Sequence, residues 1–440
     1  MRAAARGGGR QSIALSGRQD GPPGLWDATV SRRRFLQRSA AAAFGLSAAS
    51  LLAACSDTTV PGGQSGNLAP GGLPLARPDN PVKLPIYPGN RAIRSGLKPE
   101  EGPLQLYNWA EYVNAEVIES FEKKYGVGVQ LSTFATIDEA IAKLAAGAVG
   151  YDVFVPTQPY VSMLVAGEIL QPLNHSYVPN LEGNVWRSLQ NPWYDAGARY
   201  TVPYTIFSTG IAWRNDHLPD YDPEDYSNPY QSFWESTEIA GKVAMLDDQR
   251  EGLGMALLRN GITDVNTGSQ EQIDGARDAL KELIDRVNLR FYTNDYQRIA
   301  DASIWLHQAW SGDMTAIGYY LPEGTPTSVV SYWWPEDGRG MMGNDTLAVL
   351  NGAPNPVLAH LFLNHILDVE TAFLNMEFTG YQQPLTEMTP EAVLEAELVP
   401  ENLTSTIIRE PQFERGFLQG PLSAEGMGVW ESAWSEVKAS

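Results

Sequence analysis

The sequence predicts an α/β fold of two lobes around a cleft, and three observations carry that prediction. From about residue 104 onward, short β-rich runs alternate with segments of helical periodicity, the order that builds largely parallel sheets. The 440 residues are enough for two hydrophobic cores. Two extended stretches read as crossings between lobes: "YTVPYTIFSTGIAWRND", interrupted by Pro203 and small residues, and "MMGNDTLAVLNGA", its return. A chain that leaves a lobe and comes back leaves hinges at the crossings.

Taken in order, strands are predicted at 104–109, 128–134, 151–155, 209–214, 242–246, 315–319, 328–333 and 346–350. Helices are predicted at 115–125, 137–146, 158–166, 252–260, 270–287, 355–367 and 422–437. The first lobe then begins at 104–205 and the second spans 206–342. Residues 343–440 hold the return crossing, the rest of the first lobe and a C-terminal helix. No internal repeat is present.

Ahead of the fold stand three further zones. Residues 1–54 carry eight Arg and two Asp, a net +6 that leaves −27 of the total −21 on the rest of the chain. Within them "SRRRFLQ" precedes the apolar "AAAAFGLSAASLLAA" and the single cysteine, Cys55. A basic region, a short apolar segment and small residues before a cut point make an export signal, too short for an ordinary spanning helix. The S-R-R-x-F-L pattern, with Arg32 and Arg33, resembles the twin-arginine signal that exports folded proteins, and "LAAC" resembles a lipobox whose cysteine carries lipid. Val30, directly before the signal, is a candidate start of translation. A lone cysteine admits no disulfide within the chain. From Ser56 to about Pro103 the Gly- and Pro-rich sequence reads as a tether.

The strongly acidic body repels nucleic acid and favours cationic partners. Nucleophile and metal signatures are missing: there is no G-x-S-x-G and no H-E-x-x-H. His360 and His365 share a predicted helix, but at a spacing of five they point to different faces, which favours packing over metal binding. "GRGMMG" matches G-x-G-x-x-G yet precedes a strand rather than opening a helix, so it reads as a glycine-rich loop.

Aromatic residues beside carboxylates recur instead. "YNWAEY" places Trp109 beside Glu111 and Tyr112; "AWSGDM" has Trp310 three residues before Asp313; "LDDQREG" holds Asp248 and Glu251; "GNDTL" holds Asp345 at a crossing. Such sets suit organic ammonium ions, because rings cover methylenes and meet the cation while carboxylates accept its N–H groups. Each has a plainer alternative. Trp109 can plug a core, and Asp248-x-x-Glu251 before "LGMALL" is also a helix capping box.

The segments "LYNWAEYV", "YDVFVPTQPYVSMLVAGEILQPLN", "DDQREGLGMALLRNG", "WSGD", "WWPEDG" and "TGYQQP" occur in the order found in spermidine/putrescine-binding proteins of ABC importers, which the chain resembles from about Leu104 to Pro384. The resemblance implies a type II periplasmic-binding-protein fold closing on a polyamine. It implies Trp109 as a first-lobe wall flanked by Glu111 and Tyr112, and Thr157 where a serine usually lines the pocket. It implies Asp248 and Glu251 at one ammonium, Trp310 and Asp313 from the second lobe, Asp345 on the return crossing, and Gln383 near the end of the site. Pro159 and Gly343 depart from it, standing where relatives often carry aromatics, so a wider or less covered pocket is expected. The expected protein is a monomeric, lipid-anchored receptor without cofactor, delivering a polyamine to a permease. Its rivals are a receptor of the same fold for a sugar or another cation, a polyamine sensor without a transporter, and an anchored hydrolase using Asp248 and Glu251 as acid and base.

Overall fold

The computed structural model describes residues 68–147 and 150–440. Arg32, Arg33 and Cys55 lie outside the described residues. Among the described residues, eleven strands form one sheet: β1 (Leu104–Trp109), β2 (Val129–Phe134), β3 (Val153–Phe154), β4 (Leu170–Gln171), β5 (Thr201–Arg214), β6 (Val243–Leu246), β7 (Arg290–Tyr292), β8 (Leu306–Trp310), β9 (Val330–Trp333), β10 (Met341–Leu350) and β11 (Phe417–Leu418). Their order is β2-β1-β3-β10-β5-β8-β6-β7, with β4 and β11 on β10 and β9 on β5.

This order makes two lobes. β1 pairs in parallel with β2 and β3, and β6 pairs in parallel with β7 and β8. Between the two groups run β5 and β10, antiparallel to each other from Met341↔Thr209 to Ala348↔Thr201. The two predicted crossings are therefore single long strands. β10 joins the first group through β3 and carries β11 at its other end, while β5 joins the second group through β8 and carries β9 at the same end. A bulge falls between Asp345 and Thr346, opposite Pro203. Proline has no N–H for the ladder, and bulges turn side chains beside sites. Thr346 is freed there, and both its N–H and its hydroxyl donate to the Pro156 carbonyl, at 3.0 and 2.9 Å.

The helices follow their apolar spacing. α1 (Ala115–Tyr125) buries Val117 and Phe121 and starts at Asn114, whose side chain accepts the Glu116 N–H. α2 (Ile137–Ala145) is capped by Thr136. α3 (Gln249–Arg259) is buried along nearly its whole length, so its apolar face cannot be read from periodicity. α4 (Gln270–Val287) shows a clean stripe of Ile273, Ala276, Leu280, Leu283 and Val287. α5 (Pro356–Ile366) and α6 (Val369–Thr379) cover the first lobe. α7 (Ala424–Lys438) returns to the second lobe, where Trp430, Ala433 and Val437 join its core and Trp434 packs on Gly252 of α3.

Three predictions need correction. Residues 315–319 are helical, in Ser311–Thr315 and the 3₁₀ turn Ala316–Tyr319, and the strand is Leu306–Trp310. A short apolar run does not distinguish a buried helical turn from a strand, and the buried polar residues His307 and Gln308 disguised the real one. The tether reading fails for residues 68–103: Ala69, Ala76, Val82 and Leu84 are buried, and Val82 donates to Trp193 O at 2.8 Å. An extended segment can bury scattered residues with no period to betray it. Residues 158–166 form a 3₁₀ turn followed by a short helix, Val161–Ala166. His360 and His365 have separate partners, Asn174 N and Ser120 Oγ, as packing requires.

Candidate functional site

On the first-lobe side, the turn after β1 is tied by Asn108, a buried side chain that accepts the Trp109 N–H at 2.8 Å and donates to Tyr112 O at 3.4 Å. Tyr204 OH also donates to Tyr112 O. Glu111 takes a left-handed φ of 55° in this turn and is exposed. The fixed backbone aims the Tyr112 phenol inward, where it donates to Asp345 Oδ2 at 2.7 Å and meets Thr205 Oγ1 at 2.6 Å. Thr157 forms an isolated bridge with Asp345, and its side chain bonds the same carboxylate. Burial raises the Asp345 carboxyl to about 6 against these favourable bonds. Trp109 is half-buried, donates to Val155 O at 3.2 Å and lies 4.6 Å from the Phe134 ring.

On the second-lobe side, Asp248 caps α3, accepting from Arg250 N at 2.7 Å and Glu251 N at 3.1 Å. The reciprocal half of a capping box is not made. Glu251 turns away from the cap and accepts from Trp310 Nε1 at 3.2 Å and Gln419 Nε2 at 2.9 Å, with a further bond to Thr209. Its Oε2 is buried without a partner. Burial, then the charge of Asp248, pushes Glu251 up to about 7. Asp313 accepts from Tyr381 OH at 3.0 Å. The "WSGD" glycine has a steric reason: a Cβ on Gly312 would strike the Tyr381 ring.

Several partners were not anticipated from sequence. Asp295 is fully buried, and its carboxyl lies close enough to Asp313 to share a proton. Burial first, then Asp313, raises it well above the usual range. Nothing in "TNDYQR" marks this acid. Thr205 and Thr209 do share one face of β5 by the period of two, but β5 is buried on both faces and shows no alternation. Tyr381 lies in the quoted "TGYQQP". Gln383, beside it, is wholly buried, with neither amide atom partnered; Gln158, next to Thr157, is in the same condition.

The structure thus gathers Tyr112, Thr157 and Asp345 into one hydrogen-bonded group and Glu251 with Trp310 into another, while Asp313 meets Tyr381. The Tyr381 ring stands edge-on to Tyr112 at 5.1 Å, linking the groups. Glu111 lies at the rim, where its charge reaches Tyr296 and Tyr320. Asp248 points at the helix start. Pro159 contributes no ring, but Tyr160 follows it, and its phenol is pushed up by burial, then by Asp138 and Asp248. Among the described residues, none of Asp248, Glu251, Asp295, Asp313 and Asp345 forms an ion pair. Arg250 turns its guanidinium to Gly420 O, Val265 O and Asn266 Oδ1, over the Trp430 ring. Glu251, Asp295 and Asp345, buried without an ion pair among rings and hydroxyls, form an environment that a cation would complete. No group of metal-binding residues occurs among the described residues.

A family model described as bacterial extracellular solute-binding protein matches residues 116–400. The chain is 28% identical over 345 residues to the spermidine/putrescine-binding periplasmic protein of Escherichia coli, covering 77% of this chain and 92% of that one. It is 27% identical over 343 residues to the putrescine/cadaverine-binding protein of Pseudomonas aeruginosa, covering 76% and 93%. The crystal structure of the Tp0655 lipoprotein of Treponema pallidum superimposes with a TM-score of 0.63 at 25% identity, over 76% of this chain and 98% of that one. The model covers well over half of the length, and the two-lobed fold agrees: the chain belongs to the bacterial extracellular solute-binding proteins.

Proposed function

We propose that the protein is a non-enzymatic receptor that captures a linear aliphatic polyamine by hinge closure and delivers it to an ABC importer. One observation carries this reading: Glu251 and Asp295 from the second lobe and Asp345 on the return crossing are buried without cationic partners, with Asp313 half-buried beside Asp295. An ionised carboxylate costs several kcal/mol to bury uncompensated, and an ammonium donating to it offsets that cost. Trp109, Trp310 and Tyr381 supply faces for the methylenes between charges. Glu111 at the rim, Asp248 at the helix start, Thr157 and Gln383 complete the proposed ligand set. A polyamine bridging the lobes stabilises the closed form in proportion to its differential affinity for that form. The relatives' names, spermidine, putrescine and cadaverine, agree with this class of ligand.

A sugar would leave these acids unneutralised. Asp248 Oδ1 is engaged by two helix N–H groups, the geometry of a helix cap. A thermal-shift screen of the folded domain against polyamines, sugars and amino acids tests the reading. Polyamines should raise Tm; a rise with sugars alone would overturn it.

We further propose export through the twin-arginine route by way of Arg32 and Arg33, and lipid attachment at Cys55. This holds the receptor at the outer face of the cytoplasmic membrane. Cys55→Ala should release the protein from membranes with ligand binding unchanged, and continued firm attachment would exclude the lipid site.

A further inference from the structure

We propose that Phe207 is the central ligand-facing wall of the cleft, delivered from β5 into the space that a side chain on Gly343 of β10 would otherwise fill. The inference rests on the polyamine reading and names the residue that sets how slim its ligand must be.

Phe207 and Gly343 are direct cross-strand partners in the β5–β10 ladder. Cross-strand partners share a face of the sheet, as do residues two apart on one strand. Gly343 therefore shares its face with Asp345, and no bulge intervenes between them. Phe207 shares its face with Thr205 and Thr209. Thr205 meets the Tyr112 hydroxyl that holds Asp345, and Thr209 bonds Glu251. The Phe207 ring thus lies midway between two acidic stations, on a strand whose four-residue step is about 13 Å.

Its neighbours mark the same place. The ring stands edge-on to Trp310 at 6.4 Å and to Tyr381 at 6.0 Å, the aromatic partners of Glu251 and Asp313. A Cβ on Gly343 would run into three atoms of this ring. The glycine is therefore not a missing wall: its emptiness admits the neighbouring ring. The space left open by the Gly343 departure is filled by a ring from the neighbouring strand. A ring there covers methylenes of an unbranched chain and leaves no room for a branch.

The test is calorimetric titration of the folded protein with putrescine, spermidine and a chain-methylated diamine, with the Tm of each unliganded variant measured alongside. Phe207→Ala should weaken the unbranched amines about tenfold or more, from lost ring contact and apolar cover. It should narrow or reverse the preference over the methylated diamine. Phe207→Leu, which keeps apolar bulk, should preserve Tm and still lose affinity. Gly343→Phe alone should bind poorly, whereas Phe207→Gly with Gly343→Phe should recover most of the affinity by returning one ring to the same space. Should Glu251→Gln weaken binding while Phe207→Ala and Phe207→Leu bind every amine as the parent does, the ring is core, and the receptor reading survives without it. If the parent binds no amine, the receptor reading fails and takes the wall with it.

Discussion

The two acidic stations that flank Phe207 are built differently. Asp345 sits on a crossing strand and receives hydroxyl donors from Tyr112 and Thr157, which offset part of its burial and leave it at about 6. Glu251 lies in the first turn of α3, with Asp248 three residues before it, and keeps one oxygen without a partner. It is pushed up to about 7, chiefly by burial and then by that neighbour. Tyr112 and Thr157 bond Asp345 before a ligand arrives, whereas Trp310 and Gln419 both fall on one oxygen of Glu251 and leave the other to the ligand. The α3 station should therefore depend more on its cation than the crossing-strand station does.

The largest effect should come from Glu251→Gln. The amide oxygen can still accept from Trp310 and Gln419, so the unliganded Tm should hold or rise, while polyamine binding weakens by roughly 2 kcal/mol or more, about thirty-fold. Asp345→Asn should weaken binding less, because its Tyr112 and Thr157 donors remain satisfied by the amide oxygen. An equal or larger loss at Asp345 would invert the comparison. Next in size, Trp310→Ala should lose about 1–3 kcal/mol of binding, combining ring contact with loss of the Glu251 donor. Trp109→Ala should fall at the lower end of that range, since its indole N–H is engaged by Val155 rather than by an acid. Unchanged affinity in both variants would make the two rings core. The smallest effect belongs to Asp248→Asn. Asn caps helices about as well as Asp, so Tm should stay nearly unchanged. Affinity should fall less than for Glu251→Gln, because the Asp248 oxygen already serves the helix start. A Tm loss without an affinity loss would confine Asp248 to the cap.

Legibility followed burial and periodicity. β1 and α1 were predicted with their observed bounds, since each has local alternation or caps to read. The candidate acids could be named from sequence because they stand beside aromatics in short motifs. Their division of labour was not: "DDQRE" fits a cap and a ligand pair alike, and only the rotation of Glu251 onto Trp310 separates them. Asp295 stayed hidden because its role depends on Asp313, brought near by the path from β7 to β8 rather than by spacing. Phe207 stayed hidden for a related reason: a strand buried on both faces shows no period, and the space its ring fills belongs to a glycine on another strand.

Protonation gives the most direct test of the central claim that buried carboxylates receive a polyamine cation. Both Glu251 and Asp345 have folded pKa values raised above their unfolded ones. Each therefore favours the unliganded fold at low pH, and that contribution is lost as pH rises through about 6 to 7. Binding of a cation runs the other way, since aliphatic amines stay charged across this range while the acids must ionise to receive them. The measurement is calorimetric titration with spermidine from pH 8 to pH 5, in buffers of different ionisation heat. Affinity should fall as pH drops, first through about 7 and then through about 6, with protons released on binding near neutrality, and Glu251→Gln should remove the upper step. Affinity independent of pH, with no proton released, would contradict the account.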